Sequence, residues 1–198
     1  MQSANAVRID SQAAATLRYI RASMEAATSV AVPGSAGVAM GSVGLLATAL
    51  SFMTSWRQYW LAIWVVAALL GGCLGFFLVT RPASLRGLAL AGTPLRKFAL
   101  CLFPAILGGA VMTAVHWSSG NLHAIPGTWL LLYGCALISA SVASTRTIAV
   151  MGGAFVALAV AALLLPDSWQ IPMLGLGFGG LHVLFGLVIG RVNRDRQV

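Results

Sequence analysis

Few side chains in this chain of 198 residues could do chemistry. It has three histidines, His116, His123 and His182, and three cysteines, Cys73, Cys101 and Cys135. The cysteines lie far apart inside apolar runs, without a CxxC or Cys/His spacing. That pattern points to neither a zinc site nor a disulfide framework. His116 closes one apolar run and His123 follows in a polar stretch. His182 sits mid-run, on one helical face with Gly179 and Gly186. A bis-histidine haem needs its two imidazoles on opposite sides of one iron. His182 lies about nine residues, roughly 13 Å at the α-helical rise, from the level of His116 and His123. That depth argues against pairing it with either. His182 is the one candidate functional or polar-packing residue, because ionisable groups inside a membrane span are functional candidates by default. The favoured reading is a neutral imidazole bonded to a neighbouring helix.

Other chemistries find no residues. No apolar run holds Asp, Glu, Lys or Arg in its interior. Paired carboxylates for acid–base work are therefore missing, as is the intramembrane acid that proton- or sodium-coupled transporters often use. Asp167 falls at a turn, where it caps or is solvated. The strings GGCLG, GFGG and ILGGA lie in apolar runs, without the strand context of a P-loop or nucleophile elbow. Ser139, Ser141, Ser144 and Thr145 have no partner base and read as helix-packing groups. The sequence thus predicts no enzyme, no catalytic residue, no cofactor and no metal site.

The elements that position these residues are set by composition. Of all residues 59% are hydrophobic and 8% charged, against roughly 25% charged in soluble domains. Lipid must cover much of the surface. The net charge of +8 does not signal nucleic acid, because the basic residues come in short groups between apolar runs instead of one stripe. The expected fold is an all-α, polytopic bundle of six helices preceded by a cytoplasmic amphipathic helix. That first helix covers about 10–28, with an apolar stripe of Ala13, Leu17, Ile20, Met24 and Ala27. Arg18, Arg21 and Glu25 lie off the stripe, so the helix lies on the membrane surface, docked on the ends of the spans. The six spans are expected near 36–54, 59–79, 98–115, 128–145, 147–165 and 173–190, with Pro104 as a kink in the third. No cleavage-site pattern precedes the first run, so no cleaved signal peptide is expected. The organisation is a 1–30 N-terminal segment, a 31–190 membrane domain and a 191–198 basic tail.

Charge sets the expected orientation. Eleven of the twelve Lys and Arg fall in segments on one side of this six-span arrangement, and only Arg57 falls on the other. The positive-inside rule then places both termini in the cytoplasm.

Small residues recur at spacings of three and four. Span one carries Gly34, Gly37, Gly41, Gly44, Thr48 and Ser51; span two Ala67, Gly71 and Gly75; span three Ala105, Gly109 and Thr113. Span five carries Gly153, Ala157 and Ala161, and span six Gly175, Gly179, Gly186 and Gly190. Such GxxxG-type faces let helix backbones approach closely in lipid. Packing within one chain is the favoured use, with a homo-oligomer the alternative. Leu at Gly41 or Gly134 is expected to force helices apart, and Gly37→Ala to be milder, since Ala still permits close approach. Residues 31–51 also resemble 124–144 after a shift of 93: Pro33/Pro126, Gly34/Gly127, Gly41/Gly134, Ala47/Ala140 and Ser51/Ser144 coincide. The match predicts an inverted 3+3 repeat in which spans one and four meet through Gly41 and Gly134.

The runs RYIRASMEAATSVAVPGSAGVAMG (18–41), PGTWLLLYG (126–134) and GFGGLHVLFGLVIGR (177–191) resemble a family of uncharacterised bacterial multi-spanning membrane proteins. The resemblance covers nearly the whole chain and implies a bacterial cytoplasmic (inner) membrane location. It brings no activity, cofactor or site residue. The function expected is a non-enzymatic interaction or regulatory component, whose partners are the bilayer, a soluble cytoplasmic protein and no nucleic acid. The alternative is a small permease or channel-like transporter built from two inverted three-span halves, and a membrane-embedded enzyme or haem protein comes third. The orientation is directly checkable. A reporter fused after Val198 should be active only in the cytoplasm, and one inserted at 118–121 only outside; the reverse at either site would overturn six spans.

Overall fold

A computed structural model describes residues 16–17, 32–53, 57–85 and 93–195. Within them every regular element is helical. The order is α1 (Gly34–Phe52), a 3-10 turn (Arg57–Tyr59), α2 (Trp60–Leu85), α3 (Thr93–Ser118) and α4 (Ala124–Ala140). α5 (Arg146–Leu164), a 3-10 turn (Asp167–Trp169), α6 (Gln170–Leu174), a π-helical turn (Gly175–Leu181) and α7 (His182–Asp195) follow. α6, the π turn and α7 form one continuous span six. Six helices are long and apolar enough to cross a membrane. The amphipathic helix expected over 10–28 lies outside the described residues, apart from Thr16 and Leu17, which are helical.

Several boundaries differ from the sequence reading. α2 runs past Arg81 to Leu85, and α3 starts at Thr93, before Arg96 and Lys97. Much of the polar connection expected there is helix, because a helix satisfies its own backbone and its basic side chains reach water from the helix end. Pro104 lies inside α3. The hairpin between spans four and five turns at Ser144 (φ −147°, ψ −132°) and extended Thr145, so α5 begins at Arg146 itself. After α3 the chain closes as a Schellman turn. Asn121 N–H donates to His116 O, Gly120 N–H donates to Trp117 O, and Gly120 takes φ 72°. That left-handed position suits glycine.

Backbone proximity organises the bundle. α1 runs antiparallel to span six along a seam with few side chains. A Cβ added at Gly37 would stand 2.8 Å from Gly186 Cα; one at Gly41, 2.7 Å from Gly179 O; one at Gly44, 2.6 Å from Phe178 O. Thr48 faces Gly175 at one end of the seam, and Gly34 faces Gly186 and Gly190 at the other. The start of span one and the end of span six are therefore neighbours. Ala at Gly37 would therefore meet backbone. α4 and α5 make a second close crossing, where Gly134 and Gly152 each point at the other's carbonyl. Around it lies the main core: Leu130, Leu137, Ile148, Met151, Phe155, Ala159 and Ala162. α2 joins α1 through Ala47, Trp64, Ala67 and Leu174, with Met40 over Gly75. α3 joins α4 where Trp129 covers Gly109 and its Nε1–H donates to Thr113 Oγ1 at 2.9 Å.

Two expectations about small residues fail. Nothing lies within 4 Å of a Cβ built at Gly153, which is exposed, whereas Gly71 is buried on one face of α2 with Ala67 and Gly75. Span five instead buries Met151, Gly152, Phe155, Ala159 and Ala162. In an apolar helix every face looks alike in sequence, and here the face is chosen by Gly152 opposite Gly134 and by Phe155. The meeting of spans one and four through Gly41 and Gly134 is not formed either: Gly41 packs on span six and Gly134 on span five. Hydroxyls are absorbed locally, as Thr48 Oγ1–H donates to Gly44 O, Ser51 Oγ–H to Ala47 O and Thr113 Oγ1–H to Gly109 O, the usual fate of such groups in apolar helices.

These contacts separate glycines that hold the bundle from glycines that do not. Gly41→Ala and Gly134→Ala should each lose about 1–3 kcal/mol, the usual cost of overpacking. Gly153→Ala should stay within about 0.5 kcal/mol. Thermal unfolding in mild detergent reads the difference, and equal stability of all three would remove the close crossings from the account.

Candidate functional site

Polar atoms inside the membrane core concentrate around His182. The residue opens α7 directly after the π turn. Four glycines, Gly175, Gly177, Gly179 and Gly180, make up most of that turn. Glycine gives up about 1 kcal/mol of α-helical preference relative to alanine, so widening the helix here forfeits little. The glycines also let neighbours in: Leu130 and Phe155 press where a Cβ of Gly177 would stand, and Leu45 where one of Gly179 would stand.

His182 is 4% exposed. Its Nε2 lies 2.9 Å from the Tyr133 hydroxyl on α4, and the imidazole tautomer decides which group donates. Its Nδ1 is buried and has no hydrogen-bond partner. The carbonyls of Gly177 and Phe178 come near the ring without completing a bond to Nδ1. Rings enclose the pair. Phe178 stacks on His182 with centroids 6.0 Å apart and planes at 16°. Phe155 meets His182 edge-on at 5.4 Å and Tyr133 at 5.0 Å. Trp64 of α2 extends the cluster edge-on to Phe178 at 6.2 Å, and its buried Nε1 is also unpartnered. One polar pair and its aromatic shell thus tie spans two, four, five and six. The rings touch one another, so the shell is a packed unit. A buried polar atom left unpaired costs about 1–3 kcal/mol, a cost that Nδ1 shares with Trp64 Nε1 and Gln170 Oε1.

The other residues singled out in the sequence do not converge on this site. His116 Nε2 lies 3.2 Å from Thr128 Oγ1, and His123 is exposed just before α4. Cys73, Cys101 and Cys135 are free. Among the described residues no three His, Cys, Asp or Glu side chains gather as a metal site. Asp167 and Ser139 are exposed, and Ser141 Oγ–H donates to Ile138 O. Gly37, Gly41, Gly179 and Gly186 lie on the seam, Gly75 under Met40 and Gly134 at the second crossing. Tyr133 is the functional candidate that the sequence reading missed. A signal existed, since it is the one tyrosine of three placed mid-span. Phe155, Phe178 and Trp64 carried none, being ordinary apolar residues among many.

Six crossing-length helices, with a buried polar pair and no strands among the described residues, define a multi-pass helical membrane protein. The chain matches no protein-family profile, no curated protein and no solved structure.

The pair can be separated energetically. Tyr133→Phe should lose about 0.6 kcal/mol, and up to about 1.7, the range of interhelical hydrogen bonds in membranes. His182→Phe in that background should cost less than His182→Phe alone, because the hydroxyl it would strand is already gone. Additive losses in such a cycle would mean that the bond contributes nothing.

Proposed function

We propose that this chain is a non-enzymatic interaction or regulatory component of a bacterial cytoplasmic membrane, with both termini inside. The placement of α3 carries this reading. α3 packs on α4 and on the short turn that follows it. Gly109 is its one buried residue among the described side chains. Leu100, Phe103, Ile106, Leu107, Val111 and Val115 are all exposed. The helix adds little to the fold that carries it and offers a long apolar flank, as a component that docks on another membrane helix would. Arg81, Arg96, Lys97, Arg146, Arg191 and Arg194 are exposed at ends of helices that the alternation of spans brings to one side. They support a cytoplasmic orientation for that side and would meet an acidic face of a soluble partner there.

One observation favours the permease reading as a second choice. α1 lies between α2 and span six, while α4 lies between α5 and α3, which is the order an inverted duplication gives. Against it stands the missing contact between Gly41 and Gly134. Solute flux in liposomes tests it separately.

Photo-crosslinking from Phe103 and Val111 in native membranes tests the main reading. The expected result is an adduct of discrete mass, with twice the chain's own mass identifying a second copy. Adducts with lipid alone at both positions would reject the reading.

A further inference from the structure

Lys97 and Arg146 come from different helices and reach one level of the membrane. α3 and α4 run antiparallel: the Trp129 indole bonds Thr113 and covers Gly109, and Leu132 lies nearest Gly108. Continued toward the start of α3, that register sets Lys97 beside the turn Ser141–Ala143, on which α3 packs. Arg146 opens α5 just beyond the same turn. Both side chains are exposed, as is Arg96, and none of α3, α4 and α5 carries an acidic residue. Between the two cations lies an open face of small and apolar side chains. α4 meets α3 through Trp129 and Leu132, and α5 through Gly134 and Ile138. At about 100° per residue, Cys135, Ser139 and Val142 fall between these two sides. Cys135 and Ser139 are exposed, and Val142 is 91% exposed. On α5, Val150, Gly153 and Ala157 continue the face inward from Arg146, and nothing lies within 4 Å of a Cβ built at Gly153. From Arg146 to Ala157 the helix runs about 16 Å, about half of a hydrocarbon layer of about 30 Å. The face is thus one leaflet deep, with its cations at the interfacial end.

We infer that the outer face of α3, α4 and α5 seats one anionic phospholipid, with its phosphate between Lys97 and Arg146 and an acyl chain along Val142, Ser139 and Cys135. Long basic side chains reach the headgroup level from helix ends, and anionic headgroups are held there by charge. A zwitterionic lipid offers the same chains but carries its own cation, so it gains less from this pair. An acidic soluble protein would meet the cations and leave the apolar face beneath them uncovered; the lipid matches both. The seat does not rest on the interaction reading above or on which side is cytoplasmic, since it requires only that the helices span a bilayer.

The test is native mass spectrometry of the full-length protein, released from micelles that hold equal amounts of phosphatidylglycerol and phosphatidylcholine with identical chains. One phosphatidylglycerol per chain is expected to stay bound in preference to phosphatidylcholine. Lys97→Gln and Arg146→Gln should each cut that preference about fivefold, the weight of one cation near a membrane surface. Arg194→Gln, at the end of α7, should leave it unchanged. Glycerol phosphate, the headgroup without chains, should not bind at the same concentration. Equal retention of the two lipids by the wild-type protein would overturn the seat and leave these cations to a soluble partner. A preference that both Gln variants keep would overturn its placement on this face, and glycerol phosphate binding as well as the lipid would overturn the role of the chain. Should one Gln variant not fold, the other decides.

Discussion

Everything in this bundle depends on how closely two backbones can approach inside lipid. Lipid tails are as apolar as leucine, so burying a hydrophobic side chain between helices gains little there. Dispersion contacts and polar ties must do the work, and both strengthen as the helices come together. α1 and span six come together because Gly37, Gly41, Gly179 and Gly186 leave nothing between them. Gly134 and Gly152 do the same for α4 and α5. Larger side chains then fill what remains: Met40 over Gly75, Trp129 over Gly109, Leu130 against Gly177.

The aromatic cluster joins the two close crossings, with Met173, Leu181, Phe185 and Ile189 of span six packed against the same core. Span six belongs to the first crossing through its glycines and reaches the second through Phe178 and His182. Tyr133 and Phe155 answer from α4 and α5. The glycine-rich π turn brings backbone and rings into the same few residues. A side chain at Gly177 would displace Leu130 and Phe155, and a shift at Gly179 would disturb the α1 seam. Packing on one side of span six is therefore coupled to packing on the other. Hydrogen bonding at this junction is incomplete, with Nδ1 of His182 and Nε1 of Trp64 both unsatisfied.

Much of the fold was legible in the sequence because the bilayer imposes it. Apolar run length, turn residues and the basic groups gave six spans, a hairpin just before Arg146 and the seam face of span one. The face of span five was misread at Gly153 for a physical reason. In a helix that is apolar all round, periodicity marks small residues but not which of them has a neighbour, and the choice falls to distant residues such as Phe155. The repeat of 31–51 in 124–144 misled in the same way. Both segments use glycine for close approach, yet Gly41 and Gly134 do so with different partners. At the candidate site His182 stood out as an ionisable group in a span. Tyr133 did not, because its role appears only once α4 lies beside span six.

α2 and α3 are each 26 residues long, or about 39 Å at the α-helical rise. The hydrocarbon layer is about 30 Å thick. Both excess lengths fall toward the connection between the two helices, where Arg81 lies over the Phe77 ring at 5.6 Å and Arg96 and Lys97 are exposed. A rod longer than its slab must lean or project. These two are the least encumbered helices of the bundle, one resting on α1 and the other on α4, so they can lean without breaking the seam between α1 and span six. Bilayer thickness then becomes an input to the protein: a thinner membrane tips the outer pair further, a thicker one stands it upright, and the separation of their basic ends follows.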